Sequence, residues 1–198
     1  MTPAFFNDVE PIALVDPLAK ALGTFDQGDV RITYTEIAKM AGHSCPTVAG
    51  AYMLTKVALQ ALFKEEVPSR DVIAVAFRAP QEEGVTGVMA QVMTNITGAA
   101  PEGGFKGIGG RFVRANRLRF NAPIEGMVQF TRLDTNEHVT LNYHPNRLPM
   151  GEALQKRMAL MQQGEDVFDA QFGELWQERV REVLLHHETH QLISRVRA

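Results

Sequence analysis

The sequence predicts an α+β protein in which a five-stranded mixed sheet is flanked by helices. Two observations favour this class. Helical and strand-like hydrophobic patterns alternate along residues 11–97, whereas three strand-like segments follow one another after residue 111 with no helical pattern between them. Two helical patterns then close the chain. Alternating elements followed by a run of strands are typical of α+β proteins.

Length and composition set limits on the class of protein and its partners. The 198 residues suit a single domain over residues 1–198, and 45% hydrophobic with 22% charged residues disfavours disorder. A formal net charge of −3 argues against nucleic-acid and anionic-membrane partners. The single cysteine, Cys45, excludes an intramolecular disulfide. Because the first residues also lack the pattern of a secretory signal, we expect a cytoplasmic protein.

The first predicted elements are short. Leucines at helical spacing predict an N-terminal helix over residues 11–23. Residues 30–34 alternate apolar and polar side chains, which predicts a strand. A short helix over residues 35–40 follows, and Thr35 is its expected cap.

The middle of the predicted core, residues 30–145, contains the most apolar segments. Residues 47–63 form a helical pattern that is apolar around most of its circumference, so this helix is expected to be central. Residues 72–77 are a continuous apolar run rich in β-branched side chains, as in a strand buried on both faces. A second interior helix is predicted over residues 86–96, before Gly98.

The remaining patterns predict a sheet region and then helices. Turn-forming residues separate three strand-like segments, which predict an antiparallel meander over residues 112–120, 126–133 and 138–143. Two C-terminal helices, residues 152–162 and 166–190, are predicted within residues 150–192.

The turn Gly-His-Ser-Cys-Pro at residues 42–46 is the clearest chemical feature of the chain. Proline is favoured at the first position of a helix, so Pro46 predicts Cys45 as the N-cap. Helix amides and the helix dipole there favour a thiolate. With His43 two residues earlier, the pair predicts either half of a zinc site or a cysteine–histidine nucleophile pair. The alternative is a small buried cysteine beside an ordinary loop histidine.

This turn and the small-residue helix after it resemble the signature of the FmdE family, a domain family named for formylmethanofuran dehydrogenase. Three weaker matches follow in the expected order: Gln-Val-Met-Thr at residues 91–94, Lys-Gly at 106–107, and residues 174–180. The resemblance implies a thioredoxin-like α+β core that is often dimeric, with zinc held by His43 and Cys45. The zinc-finger domain that some members append has no counterpart, since no cysteine follows Cys45.

A glycine-rich, basic segment is the second candidate site. Five lysines and arginines and no acid occur between residues 103 and 120. Backbone amides around Gly104, Lys106 and Gly107 predict a nest for an anionic ligand, and the alternative is a flexible loop that leads into a strand.

Three histidines near the C-terminus form a third, weaker candidate. His186 and His190 are spaced to share a helical face, as are His187 and His190, and chelating pairs have this spacing. A solvated face or a packing contact is the alternative.

The sequence as a whole predicts an FmdE-like domain whose His43 and Cys45 bind a metal, most simply zinc, and which acts on or senses a small molecule, either neutral or anionic. The alternative is a non-catalytic dimeric accessory or regulatory module. A homodimer is expected under both hypotheses, because the apolar helix at residues 47–63 and the stripe around Trp176 exceed what one sheet face can cover.

Overall fold

The computed structural model describes residues 2–196, within which the chain forms six α-helices and seven strands. The helices are α1 (Pro17–Ala21), α2 (Tyr34–Ala41), α3 (Pro46–Phe63), α4 (Thr86–Thr97), α5 (Glu152–Gln162) and α6 (Ala170–His186). The strands are β1 (Ile12–Val15), β2 (Asp29–Ile32), β3 (Ile73–Phe77), β4 (Leu118–Arg119), β5 (Val128–Arg132), β6 (His138–Tyr143) and β7 (Ile193–Arg195).

The main sheet has five strands in the order β4-β3-β5-β6-β7. β3 and β4 are parallel and the other pairs are antiparallel, so the sheet is mixed and the predicted fold class is confirmed. The identity of the fifth strand differs from the prediction. Residues 30–34 contribute β2 to a separate two-stranded sheet with β1, and β7 takes the fifth place.

The predicted N-terminal helix over residues 11–23 is wrong in its first half. Ile12 and Leu14 are buried while Ala13 between them is exposed, which is the two-residue period of a strand. The helical part is limited to α1, because the Asp16 carboxylate caps it by accepting from the amides of Leu18 and Ala19.

Helix α2 begins one residue before the predicted position. Its cap is Thr33 rather than Thr35, since Thr33 and Glu36 form a reciprocal capping box. The helix ends at Gly42, whose φ of 74° is a left-handed conformation that glycine adopts without strain.

The predicted meander is confirmed for β5 and β6 and is wrong for residues 112–120. Only Leu118 and Arg119 of that segment form a strand, and they pair in parallel with β3. Phe112 and Asn116 have φ values of 59° and 62°, which no extended strand can contain.

The last predicted helix, residues 166–190, is shorter in the structure. α6 begins after Asp169, whose carboxylate caps it by accepting from the Phe172 amide. Beyond His186 the chain turns so that β7 can pair with the end of β6.

Helix α3 lies at the centre of the fold, as its apolar composition predicts. It packs on β5 and β6 of the sheet, and α2, α4 and α6 pack against it. Its buried side chains include Tyr52 and Leu54, and α3 lies over the sheet face that carries Val75 and Phe130. None of the helices in residues 2–196 is both long enough and apolar enough to cross a bilayer.

Candidate functional site

The Gly-His-Ser-Cys-Pro turn joins α2 to α3, and the prediction of Cys45 as the N-cap is confirmed. Cys45 has an extended backbone, Pro46 is the first residue of the helix, and the Cys45 Sγ accepts from the Val48 amide at 3.5 Å. The thiol is free and partly exposed. It therefore lies among the unpaired amides that begin the most buried helix of the fold.

His43 lies on the exposed side of the same turn. Its Nδ1 is 3.0 Å from the carbonyl oxygen of Ala41. A carbonyl only accepts, so Nδ1 carries the hydrogen in this contact and Nε2 keeps its lone pair. Histidines that bind metals are oriented in this way, with one ring nitrogen donating to a carbonyl and the other bound to the ion.

Two buried phenols flank Cys45. The Tyr34 hydroxyl and Ser44 Oγ share a hydrogen bond of 2.8 Å, and the Tyr143 hydroxyl donates to the Pro46 carbonyl at 2.8 Å. Burial raises the pKa of both tyrosines above the ordinary value, and negative charge on Cys45 raises it further. Both phenols are therefore neutral at physiological pH and act as hydroxyl groups beside the thiol.

Helix α6 supplies a further polar group at this turn. Gln177 Nε2 donates to the Ser44 carbonyl at 3.1 Å, while Gln177 Oε1 is buried and lacks a hydrogen-bond partner among residues 2–196. Arg179, two residues further along α6, donates to the Pro149 carbonyl at 3.2 Å, and burial lowers the pKa of its guanidinium. A buried amide oxygen without a donor is costly, so this position is suited to a ligand or water that donates a hydrogen bond.

These groups could take part in a reaction or in metal binding, but they do not form a complete metal site. A thiol, an imidazole nitrogen with a free lone pair and neutral hydroxyls are suited to nucleophilic chemistry or to partial coordination of a soft cation. Within the described part of the chain, no three histidine, cysteine, aspartate or glutamate side chains are grouped to hold a metal ion. His43 and Cys45 thus supply two ligands, and any others must come from water, substrate or another chain.

The glycine-rich segment lies away from this turn. Its base is held by Arg114, which donates to Asp16 at 2.5 Å, and Asp16 also accepts from Arg70, just before β3 begins. Tyr143 lies near the other end of β3. It is two residues after Leu141, which is aligned through Val128 of β5 with Phe77, the last residue of β3. The base of the segment and Cys45 therefore lie toward opposite ends of β3, which spans about 13 Å at roughly 3.3 Å per residue.

Asp16 is the buried centre of the interactions at that base. Burial opposes its ionisation, but Arg114, the Ala19 amide and Arg70 outweigh this effect and hold the pKa of the carboxyl below its ordinary value. The result is a fixed ion network that anchors the segment rather than an open binding site.

The glycines of the segment have packing roles. A Cβ on Gly104 would lie 2.6 Å from the Ala100 Cβ, and one on Gly107 would meet the backbone of Arg111. The Gly104 amide donates to Pro101, whereas Lys106 is exposed to solvent. Packing thus explains these glycines, and the anion nest around Gly104, Lys106 and Gly107 stays a prediction.

The three C-terminal histidines do not form a chelating group. His190 Nε2 contacts Glu182 at 2.8 Å, and His186 is exposed. His187 is half-buried, and it lines a cavity with Lys56 of α3. The packing alternative describes His187 and His190 better than shared metal coordination does.

Tyr34, Tyr143 and Gln177 are the site residues that sequence reasoning missed. They lie in three elements far apart in the chain, so spacing along the sequence cannot bring them together. One feature of the sequence could have identified Gln177 as a site residue, because it belongs to the segment at residues 174–180 that resembles the FmdE family.

No protein-family model matches the chain, and no curated protein matches it either. The resemblance to the FmdE family therefore depends on the motifs of the sequence.

Proposed function

We propose that the chain is an FmdE-like protein whose Cys45 turn binds a metal, most simply zinc, and acts on or senses a small molecule. The hydrogen bond from His43 Nδ1 to Ala41 is the observation that carries this proposal, because it leaves Nε2 available two residues before a free thiol at a helix N-terminus. A zinc ion with two protein ligands would retain open positions, and in those positions it polarises a bound water or carbonyl group.

The surroundings of Cys45 support a polar or anionic ligand. Gln177 Oε1 offers a buried acceptor, Ser44 and Tyr34 offer hydroxyls, and the N-terminus of α3 favours negative charge. A small molecule with a hydrogen-bond donor and a carboxylate or phosphate group would match this set.

A non-catalytic dimeric accessory or regulatory module is the second candidate. The helical hairpin of α5 and α6 favours it, since this hairpin exposes Phe168, whose ring packs edge-on against Phe172, which in turn stacks on Trp176. Exposed aromatic surface of this kind is typical of interaction sites. Cytoplasmic location is part of both proposals, and the free thiol of Cys45 is consistent with a reducing compartment.

The test is zinc retention by purified protein. Wild-type protein loaded with zinc and then dialysed against metal-free buffer should retain about one ion per chain, measured by elemental analysis. Cys45→Ser and His43→Ala should each lose most of this zinc while the far-UV circular dichroism stays native, because His43 is exposed and serine is itself a favoured N-cap residue at position 45.

His138→Ala provides the matched control, since His138 is also exposed and lies on β6. It should leave the zinc content unchanged. Wild-type protein that retains no zinc would overturn the metal proposal, and so would equal losses in His138→Ala and His43→Ala.

A further inference from the structure

The sheet face opposite α3 carries a trough over β3. Val75 and Phe130 are packed in the core beneath α3, so the alternate residues Ala74 and Ala76 of β3 and Thr131 of β5 point to the other face. The two alanines are short, so the surface over β3 is recessed between the longer side chains of the neighbouring strands. A cavity of about 270 Å³ occupies this recess.

Two arginines form one wall of the cavity. Leu118 of β4 is buried in the core, so Arg119 points to the opposite face, where the register places it beside Ala76. Arg117, the residue before β4, lines the same cavity. The Cα atoms of the two arginines are at most about 7 Å apart, because two residues of extended chain span no more than this. Both guanidinium groups therefore reach one space from one edge of the sheet.

The guanidinium group of Arg117 is held in place. It donates through Nη1 to the Asp71 carbonyl, and no other side-chain hydrogen bond of Arg117 or of Arg119 occurs within residues 2–196. Burial lowers the pKa of Arg117, Asp71 raises it, and the charge of nearby Arg114 lowers it again. An anion bound here would offset both burial and the neighbouring cation, and would thus stabilise the charged guanidinium.

The rest of the lining is polar or apolar and carries no negative charge. Thr131 supplies a hydroxyl and Leu133 an exposed apolar side chain on the β5 side, and Asn116 supplies an amide. Among the described residues, those that line the cavity include no carboxylate. Drug-sized ligands occupy cavities of about 300–1,000 Å³, so this one suits a smaller anion with a short apolar body.

A phosphate monoester fits this pair of arginines better than a carboxylate does. One guanidinium group binds both oxygens of a carboxylate in a bidentate pair, which leaves the second arginine without an acceptor. A phosphate monoester has three terminal oxygens and a charge of about −1.5 to −2 at pH 7, so it accepts from two arginines at once.

We propose that this cavity is a binding site, separate from the Cys45 turn, for a small phosphate monoester. Arg117 and Arg119 bind the phosphate oxygens. The alanine floor and Leu133 contact the apolar part of the ester. The sheet separates this site from Cys45, because α3, which Cys45 caps, packs on the opposite face.

The test is calorimetric titration of the full chain with phenyl phosphate, inorganic phosphate and benzoate. Phenyl phosphate should bind most tightly, because inorganic phosphate lacks the apolar part and benzoate satisfies only one arginine. Arg119→Gln should weaken phenyl phosphate binding about tenfold through the loss of charged hydrogen bonds. This arginine is exposed, so the variant should fold as the wild type does. Benzoate that binds as tightly as phenyl phosphate would contradict the proposed ligand class.

A second variant blocks the cavity and keeps both arginines. Ala74→Phe fills the floor with a side chain that strands favour, and it should also weaken phenyl phosphate binding at least tenfold. Arg31→Gln is the matched control for Arg119→Gln, because Arg31 is exposed on β2 and does not line the cavity. Equal weakening in these two arginine variants would show a non-specific charge effect and overturn the proposal. Wild-type affinity in Ala74→Phe, or a wild-type chain that binds no phenyl phosphate, would also overturn it.

Amide shifts in the NMR spectrum of labelled wild-type protein locate the bound molecule without any substitution. Phenyl phosphate should shift the amides of Ala74 and Thr131. Shifts confined to Thr140 would assign the anion to a neighbouring cavity over β6, and would contradict this inference. Shifts confined to Ser44 and Cys45 would also contradict it, and would instead support the ligand proposed for the Cys45 turn.

Discussion

At the scale of single residues, His187 is expected to make the free energy of unfolding depend on pH. Burial lowers the pKa of its imidazole below the ordinary value, Lys56 lowers it further, and Glu188 opposes the shift. Asp8 and Glu10 line the same cavity as His187 and Lys56. Because the folded state holds this imidazole neutral, protonation favours the unfolded chain.

We therefore expect the free energy of unfolding to be fully retained above the unfolded-state pKa of about 6.5 and to decline as pH falls through the folded-state pKa. His187→Gln should reduce this decline, as measured by urea denaturation between about pH 7 and 5. His186→Gln, an exposed neighbour, should keep the wild-type slope. A wild-type slope in His187→Gln would contradict the assignment.

Residue-scale predictions from the sequence succeeded where the cause is local. Pro46 defines the start of α3 because its ring is compatible with the first helical position, and this alone identifies Cys45 as the N-cap. The contacts of Tyr143 with Pro46 and of Gln177 with Ser44 span 97 and 133 residues of sequence, so no local pattern contains them.

At the scale of elements, the packing of α3 against the sheet depends on Gly50. The Tyr143 ring lies directly against this glycine, where a Cβ would overlap its Cζ and Cε1 atoms. Gly50 thus allows β6 and α3 to approach closely enough for the Tyr143 hydroxyl to reach Pro46.

Gly50→Ala should destabilise the protein by about 1–3 kcal/mol, because the tyrosine must move out of a tightly packed position. Gly173→Ala is the matched control in α6, since a Cβ there meets nothing within 4 Å, and it should stabilise by about 0.5–1 kcal/mol through helix propensity. Both changes are measured by thermal or urea unfolding. A neutral Gly50→Ala would contradict the packing described.

Elements with strong and continuous patterns were predicted well, as α3, α4, β6 and α5 show. Short segments were predicted poorly. Residues 12–15 carry leucine and isoleucine positions that fit a helix or a strand, and pairing with β2 decides between them. β7 has only three residues, and it forms a strand because it pairs with the free edge at the end of β6.

At the scale of the whole molecule, the α5–α6 hairpin and the glycine-rich segment both expose apolar and charged side chains. Phe168 is 71% exposed, and Glu174 and Glu178 on α6 are exposed as well. The segment presents Lys106 and Arg111 as well as two exposed apolar side chains, Phe105 and Ile108. We propose that each copy places this segment on the partner's hairpin, which gives two equivalent contacts in a closed dimer.

Light scattering coupled to size exclusion should therefore give about twice the 22.0 kDa mass of one chain. Phe168→Ala should shift the mass toward that of the monomer, and added salt should act in the same direction because opposite charges meet. Phe25→Ala, at another exposed phenylalanine, is the control and should remain dimeric. A mass of one chain at every concentration would contradict the dimer.

The fold class was predictable from the order of elements, but the topology was not. The parallel pairing of β4 with β3 follows from a long loop that Arg114 anchors to Asp16, a contact between residues 98 positions apart. The same contact places the glycine-rich segment away from Cys45, so the sequence could not show whether the two candidate sites meet.

The most direct test of the proposed Cys45 site is the absorption spectrum of the chain loaded with Co²⁺ in place of zinc. Thiolate coordination gives an intense near-ultraviolet charge-transfer band, so wild-type protein should show this band and Cys45→Ser should lack it. His43→Ala should weaken cobalt binding while His138→Ala leaves it unchanged. An identical spectrum in Cys45→Ser, or a wild-type chain that binds no cobalt, would contradict the proposal that the Cys45 turn is a metal centre.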